Sequence, residues 1–351
     1  MNVRGFYIGT AVLACLVATF VCDSIGQSAE INQPSLPVKV GGKWGYINRL
    51  GRIIIKPKFV VAAKFSEGLA LVRDDCMCFY FIDQTGKPIS TERFRFADDF
   101  SEGLAMVQGE NSDDKIGFID KTGKFVIPPR FDRYKGKILW SFKDGLAVVT
   151  LNDKFGYINK QGNFIIAPQF DSAAPFSEGL AVVSKNGKYG FIDTAGKIVI
   201  DYRYETAFSF REGFASFSLD RQKFGLIDKN GKVVLEPKFD WLSGFSEGLA
   251  SVNLGMAWRG HQKSGGKWGF IDKSGSIVIP VKFDTANFFS EGFAPVRMDG
   301  NWGFIGKNGE MTIAAQFDWA EPFENGISKV TIREKTGYIN KSGRYIWKPS
   351  E

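Results

Sequence analysis

The chain has 351 residues and includes 40 Gly, 33 Phe and a single His. This composition favours many short strands and tight turns over long helices, and one His excludes a metal site built from several histidines. The net charge is +7, but lysines and carboxylates are interspersed without long blocks. That pattern argues against a dedicated nucleic-acid-binding protein and leaves a mild preference for anionic partners.

Residues 1–29 have the layout of a secretory signal peptide. Arg4 precedes a long uncharged run, and small residues follow it. We therefore expect residues 30–36 to be a linker, residues 37–351 to form the folded part, and the protein to be exported to the periplasm, the medium or the cell surface. The alternatives are lipidation at Cys15 and retention of the uncleaved run, which is barely long enough to span a membrane.

Two glycine landmarks recur along the chain. The first usually follows an aromatic residue, and it is always followed by Ile two positions later and by Gly six positions later. Its nine positions are Gly45, Tyr80 (in place of Gly), Gly117, Gly156, Gly190, Gly225, Gly269, Gly303 and Gly337. The second landmark ends the motif F-S-E-G or a close variant, at Gly68, Gly103, Gly145, Gly179, Gly213, Gly248, Gly292 and Gly326. This regular spacing predicts nine structural repeats.

One repeat shows what the spacing means. Leu180–Val183 is a short apolar run, and Asn186-Gly187 is a strong signal for a two-residue hairpin turn. Tyr189–Asp193 forms a second run, Gly196 closes a tight turn, and Ile198–Ile200 forms a third run. Each unit is thus predicted to be a three-stranded antiparallel β-meander. A linker of the form F-D-x-A-x-x-F-S-E-G, for which one helical turn is a candidate, leads to the next unit.

The predicted strands are apolar on both faces, which indicates that neighbouring units cover them. A single unit should therefore not fold alone, and the units should form a nearest-neighbour array. No unit is visibly split between the two ends of the chain, as a ring closed by a shared unit would require. The fold class expected is therefore all-β, with about nine repeats in an open superhelix or solenoid rather than a closed β-propeller.

These residues resemble the bacterial WG-repeat family, whose motif is matched best by K-W-G-F-I-D-K-S-G at residues 267–275. The resemblance extends over residues 37–349. It implies an exported or surface protein without a common assigned chemistry, and more distantly it is similar to cell-wall-binding repeats that hold choline or glycans on exposed aromatic rings. Trp fills the Trp position only at Trp44, Trp268 and Trp302, so we do not expect every unit to share one ligand cage.

Three recurring positions have both a structural and a functional interpretation. The aromatic residue before the first landmark is interpreted as packing between units, with a sugar platform as the alternative. The carboxylates before the second landmark are expected to cap the backbone that follows them. The third position is the Asp or Asn three residues after the first landmark, which is interpreted as a turn former rather than a metal ligand. These residues are Asn48, Asp83, Asp120, Asn159, Asp193, Asp228, Asp272 and Asn340.

Two non-repeating features are candidate sites. Cys76 and Cys78 would share a face of a strand, but zinc needs four ligands and no second Cys/His pair exists, so inert thiols or a local disulfide are favoured. The unit around Gly269 has an extra stretch, and there Trp258, Arg259 and His261 offer an aromatic face and cations on one loop. These three residues are the predicted binding site, against the alternative of an elaborated hairpin tip.

The sequence favours a monomeric, non-catalytic binding or scaffolding protein that acts on a protein or polymer of the bacterial cell envelope. It predicts no cofactor, no metal, no specific nucleic-acid partner, and membrane contact only through an uncleaved N-terminal segment. Catalytic motifs built around Ser, His or a phosphate loop are absent from the sequence. The alternative is a glycan-active enzyme with paired carboxylates, for which the sequence offers no unique pair.

Overall fold

The computed structural model describes residues 36–109, 115–133, 140–259 and 262–349. It describes only the backbone of Trp140, Trp258, Arg259, Gln262 and Lys263. Every regular element in these residues is a β-strand, which confirms the all-β prediction. In the same residues no helix is long and apolar enough to cross a membrane.

The strands fall into nine units along the chain, as the glycine spacing predicts. Unit 1 comprises β1 (Leu36–Val40), β2 (Lys43–Ile47) and β3 (Ile53–Phe59). Unit 2 comprises β4 (Val61–Ser66), β5 (Leu69–Arg73) and β6 (Phe79–Ile82). Unit 3 comprises β7 (Phe94–Ala97), β8 (Ala105–Gly109), β9 (Lys115–Ile119) and β10 (Phe125–Asp132). Unit 4 comprises β11 (Trp140–Lys143), β12 (Leu146–Leu151), β13 (Lys154–Ile158) and β14 (Phe164–Phe170). Unit 5 comprises β15 (Ser172–Ala173), β16 (Leu180–Lys185), β17 (Lys188–Asp193) and β18 (Ile198–Tyr204). Unit 6 comprises β19 (Thr206–Ala207), β20 (Phe214–Ser218), β21 (Phe224–Asp228) and β22 (Val233–Phe239). Unit 7 comprises β23 (Trp241–Leu242), β24 (Ala250–Arg259), β25 (Gln262–Ile271) and β26 (Ile277–Phe283). Unit 8 comprises β27 (Thr285–Ala286), β28 (Phe293–Met298), β29 (Asn301–Gly306) and β30 (Met311–Phe317). Unit 9 comprises β31 (Trp319–Ala320), β32 (Ile327–Ile332), β33 (Lys335–Asn340) and β34 (Tyr345–Trp347).

Each of units 5 to 9 is a four-stranded antiparallel sheet with its strands in chain order. The fourth strand comes from the linker, where sequence reasoning considered a helical turn. In unit 5 the linker amides of Asp171 and Ala174 donate to the carbonyls of Ser184 and Val182, which draws the linker onto the edge of β16. The predicted three-stranded meander is therefore confirmed and extended by a two-residue strand. Units 2 to 4 join into one larger sheet through single residue pairs.

The turn that follows the strand carrying the first landmark is built by one Asp or Asn side chain in eight of the units. In unit 5 the Asp193 carboxylate accepts hydrogen bonds from the amides of Ala195 and Lys197 at 3.0 and 2.9 Å. The same pair of bonds, to the residues two and four positions on, forms at all eight Asp and Asn positions of the predicted set. The turn interpretation of these residues is confirmed.

Adjacent units pack through aromatic rings. Phe176, in the linker of unit 5, is fully buried, and its ring centroid lies 4.9 Å from that of Tyr157 in unit 4. The Tyr157 hydroxyl donates to the Ala174 carbonyl of unit 5 at 2.8 Å. Gly196 closes the interface, because a Cβ at this position would lie 3.1 Å from the side chain of Ile166 in unit 4. The inner strands of each sheet are thus covered by the neighbouring units. The outer strand is not, because Ile198 and Val199 are 46% and 41% exposed, so the prediction that its apolar residues are covered on both faces is wrong.

The first and ninth units are also in contact. The buried Tyr338 hydroxyl donates to the Pro37 carbonyl at 2.7 Å, much as Tyr157 donates to unit 5. The Arg49 guanidinium donates to the Asn325 carbonyl, and Leu36 belongs to one apolar cluster with Ile327. Lys121 makes the bond equivalent to that of Arg49, to a carbonyl of the preceding unit, so this part of the contact between units 1 and 9 repeats an ordinary unit interface. The preference for an open superhelix is not confirmed.

Candidate functional site

Unit 7 carries a hairpin that extends beyond those of the other units. β24 and β25 have 10 residues each, whereas the corresponding strands of unit 5 have 6. The pairing keeps one register from Ala250↔Ile271 to Arg259↔Gln262. The extra stretch noted in the sequence is therefore a continuous two-stranded arm rather than an irregular loop.

The base of this arm is anchored by a buried carboxylate. Asp240 is 6% exposed, and it accepts hydrogen bonds from the amides of Gly255 and Met256 at 2.7 and 3.3 Å. Lys223, from unit 6, pairs with the same carboxylate at 2.6 Å. Gly255 and Gly266 both have positive φ, and a side chain on Gly266 would collide with the Leu254 backbone. The glycines therefore allow the two strands to bend where the arm leaves the sheet.

The predicted site residues lie at the outer end of the arm. Trp258 pairs with Lys263 and Arg259 pairs with Gln262, so both predicted residues are in β24 next to the tip. His261 lies outside the described residues. The structure places the backbone of two of the three residues together, and the binding role of all three stays a prediction.

The carboxylates of the F-S-E-G motif bond to the next unit rather than to the backbone that follows them. Glu178 accepts a hydrogen bond from the Gly213 amide at 3.0 Å and pairs with Lys229 at 3.1 Å, both in unit 6. Burial alone would raise the pKa of Glu178, but these two bonds outweigh it, so its pKa lies below the usual value. The same triple forms at Glu67–Gly103–Lys121, Glu102–Gly145–Lys160, Glu212–Gly248–Lys273, Glu247–Gly292–Lys307 and Glu291–Gly326–Lys341.

The aromatic residues before the first landmark lie mostly within the interfaces. Trp302 is 5% exposed, with its ring centroid 4.9 Å from that of Trp319. Trp44 and Trp268 are half-buried and pack on the clusters of units 1 and 2 and of units 7 and 8. These contacts favour the packing interpretation over a row of sugar platforms.

Comparison with protein families agrees with this repeat geometry. The model of the WG containing repeat matches eight segments, which together make up more than half of the chain. The chain belongs to this WG-repeat family. The matched segments are residues 44–75, 81–111, 116–155, 155–189, 189–221, 224–255, 268–302 and 302–335. Unit 9 of the WG-repeat array continues beyond the last segment with β33 and β34.

No curated protein matches the WG-repeat chain in sequence. Among solved structures it is similar to BamB from Moraxella catarrhalis, with 10% identity over 78% of this chain and 92% of that chain and a TM-score of 0.43. It is also similar to Hsv2p from Kluyveromyces lactis, with 11% identity over 70% of this chain and 92% of that chain and a TM-score of 0.43.

The two cysteines of the WG-repeat domain do not lie on a strand. Cys76 and Cys78 are in the turn between β5 and β6, where the Cys78 thiol donates to the Cys76 carbonyl at 3.5 Å and no disulfide joins the two. Asp74 accepts a hydrogen bond from the Cys76 amide at 3.0 Å, and Met77 has a φ of 67°, so the chain turns where an extended strand was expected. Within the described ranges no group of three or more His, Cys, Asp or Glu residues could hold a metal ion.

One pair of adjacent carboxyl groups was missed by sequence reasoning. Burial, and then the charge of Asp98, raise the pKa of Asp99 above the usual value. The Ser141 hydroxyl donates to Asp98 at 3.0 Å. Asp98 and Asp99 are consecutive in the linker of unit 3, whereas the two carboxyl groups of a glycosidase flank the bond that they cleave. The pair is an electrostatic feature of one linker and does not by itself form such a site.

Proposed function

We propose that this WG-repeat protein is an exported, non-catalytic binding scaffold that acts on a protein or polymer of the cell envelope. The observation that carries the proposal is the arm of unit 7, since it departs from an otherwise regular array. A repeated scaffold tolerates such a departure where a loop or hairpin makes a contact of its own. The buried Asp240 fixes the base of the arm, so the tip would be presented in a defined direction.

We further propose that the nine units form a closed ring. The contact of Arg49 with Asn325 supports it, because it repeats the form of the Lys121 contact between consecutive units. The Tyr338 hydroxyl also donates to unit 1 as Tyr157 donates to unit 5, although its acceptor Pro37 lies in a main strand and not in a linker. The linkers of units 6, 7 and 8 line one common cavity, which is expected if the linker edges of the sheets point towards the axis of the ring. A ring would hold the arm on a rigid frame.

The arm can be removed without redesigning the sheet. The pair Leu254↔Lys267 corresponds to Lys185↔Lys188 of unit 5, which an Asn-Gly turn connects. Replacing residues 255–266 by Asn-Gly should therefore give unit 7 an ordinary hairpin. We expect this variant to lose the envelope component that the intact mature protein captures in pull-downs at both low and high salt. The exchange of Asn186-Gly187 for Gly-Gly is the matched control and should retain it.

The proposal fails if the shortened variant, with unchanged thermal unfolding, captures the same component as the intact protein. Capture that disappears at high salt for every variant would indicate unspecific charge attraction instead. The export step has its own measurement, which is the N-terminal residue of the protein recovered from the envelope or the medium. A mature chain that begins near residue 30 is the expected result.

A further inference from the structure

Four linker residues in units 6 and 7 depart from the repeat. Phe208 stands where units 2 and 5 have Ala, and Arg211 stands where five other units have Ser. Trp241 stands where units 5, 6 and 8 have Ser or Thr and is matched by Trp319 in unit 9, and Gly244 is the only glycine at its position. Departures from a regular scaffold are where function is expected, and these four meet in one place.

All four residues line one cavity of ≈ 440 Å³ on the linker side of units 6 to 8. Trp268 of unit 7 and Phe288 of unit 8 complete its aromatic wall, and Phe288 is 41% exposed. The volume falls within the range of about 300–1,000 Å³ that is typical of small-ligand pockets. The cavity is thus large enough for a small molecule or one or two units of a polymer.

The presence of Arg211 depends on Gly244. In most other units the Ser at the position of Arg211 donates to a Phe carbonyl of the next unit, as Ser177 does to Phe210 at 2.7 Å. A Cβ on residue 244 would lie 2.7 Å from Cδ of Arg211, so any other residue here would push the arginine side chain out of its present position. Gly244 does not have a positive φ, and its role is therefore to provide space. The two substitutions form one coupled change.

The arginine brings an unopposed positive charge into the cavity. Among the described residues Arg211 takes part in no ion pair, and it is exposed. The described lining contains no Asp or Glu. A guanidinium without a carboxylate partner is suited to bind an anionic group of a ligand, preferably through two parallel hydrogen bonds to a carboxylate.

The aromatic rings decide between the ligand classes that carry such a group. The rings of Phe208 and Trp241 are 5.5 Å apart and inclined by 59°, so they cannot sandwich a flat nucleobase between parallel faces. A sugar ring has C–H groups that pack on one aromatic face, and its hydroxyl groups pair with amide and hydroxyl side chains. Asn287 and Ser209 supply those groups in the lining, whereas the Ser243 hydroxyl is bonded to Gly244 and Ser251.

We propose that this cavity binds a uronic acid unit of an acidic polysaccharide, with its ring on Trp241 and its carboxylate on Arg211. The inference deepens the proposed function by naming a polymer class, and it rests on a different part of the protein from the arm. Because the described lining holds no carboxylate to act as acid or nucleophile, the site binds the sugar without hydrolysing it.

The test uses the full mature chain and trigalacturonic acid, with its neutral methyl ester as the matched ligand. Titration calorimetry and tryptophan fluorescence should show binding of the acid, with a Kd at least about tenfold lower than that of the ester. Trp241→Ala should raise the Kd for the acid by at least about tenfold. Arg211→Ser restores the residue of five other units and should abolish the preference for the acid over the ester.

The matched control is Trp319→Ala, since Trp319 occupies the position of Trp241 in unit 9 and lies outside the cavity. It should leave the Kd unchanged. The proposal is overturned if neither ligand binds at millimolar concentration, or if Trp241→Ala and Trp319→Ala have the same effect. The variant without the arm should still bind the acid, so loss of partner capture and loss of sugar binding are separate results.

Discussion

Units 5 and 7 form sheets of the same architecture but differ in their hairpins and in their linkers. Both have four strands in the same order and with equivalent pairing, and both bury the linker phenylalanine, Phe176 or Phe245. Unit 5 has a two-residue hairpin turn and a Ser-Ala-Ala-Pro linker, whereas unit 7 has a long arm and a Trp-Leu-Ser-Gly linker. The shared part explains folding, and the different part is where binding is proposed.

The largest expected effect concerns the part that both units share. Phe176→Ala and Phe245→Ala should each lower the free energy of unfolding by about 3–5 kcal/mol, because each removes a fully buried ring at a unit interface. Urea-induced unfolding followed by circular dichroism measures the loss. The control is Ile198→Ala, at a side chain that is 46% exposed. If only one of the two phenylalanine variants loses stability, units 5 and 7 do not share the same kind of interface.

The second prediction separates the two units. Asp240→Ala should destabilise unit 7 by about 2 kcal/mol, because it removes a buried carboxylate and leaves the half-exposed Lys223 and two arm amides without their acceptor. Asp171→Ala removes the corresponding pair with Lys154 in unit 5, which is more exposed, and should have an effect of about 1 kcal/mol or less. Hydrogen exchange of the arm amides should rise only in the first variant. If both variants show the same loss of stability and the same hydrogen exchange, Asp240 does not anchor the arm.

A smaller effect tests whether the chain ends meet as consecutive units do. Tyr338→Phe and Tyr157→Phe each remove one buried hydrogen bond, to Pro37 and to Ala174, and each should reduce stability by about 1 kcal/mol. The two melting temperatures are compared under identical conditions. If Tyr338→Phe has no effect while Tyr157→Phe does, the contact between units 1 and 9 does not form in solution.

The smallest effect depends on pH. The pKa of Glu212 is lowered in the folded state, because the bonds from Lys273 and the Gly248 amide outweigh burial. The folded state therefore holds this proton less tightly than the unfolded state, so the stabilisation is present above the ordinary Glu pKa and is lost as the pH falls through the lowered value. Glu212→Gln should flatten the decline of the melting temperature in acid. The control is Asp144→Asn, at the same motif position in unit 4. If the melting temperature of both variants falls in the same way as the pH is lowered, the assignment of this pH dependence to Glu212 is wrong.

The elements that could be predicted from the sequence are those set by local chemistry. Asn186-Gly187 and Asp193 encode their turns within a few residues, so the three main strands and all eight Asp and Asn turns could be located. The linker strand was missed because the partner of Ala174, the Val182 carbonyl, is a main-chain group with no side-chain signature. The contact of Glu178 with Gly213 was also missed, since its partner belongs to the next unit.

The sequence contains a signal for the cavity that the spacing of the repeats does not reveal. Arg211 and Gly244 each break the repeat, but their coupling is visible only when two successive linkers are aligned and brought together by the fold. The arm was found because an insertion changes the spacing, whereas a substitution within the spacing does not. In a repeat protein the residues that differ at equal spacing therefore deserve the same scrutiny as inserted loops.

The contact of Tyr338 with Pro37 has a consequence for how such a protein can change over time. An open array can gain or lose a unit by duplication, with little effect on the other interfaces. In the closed ring that we propose, one more or one fewer unit would force every interface to adopt a new angle. The number of units is then a fixed property of the protein, and new specificity has to arise by substitutions and insertions inside units that are already present.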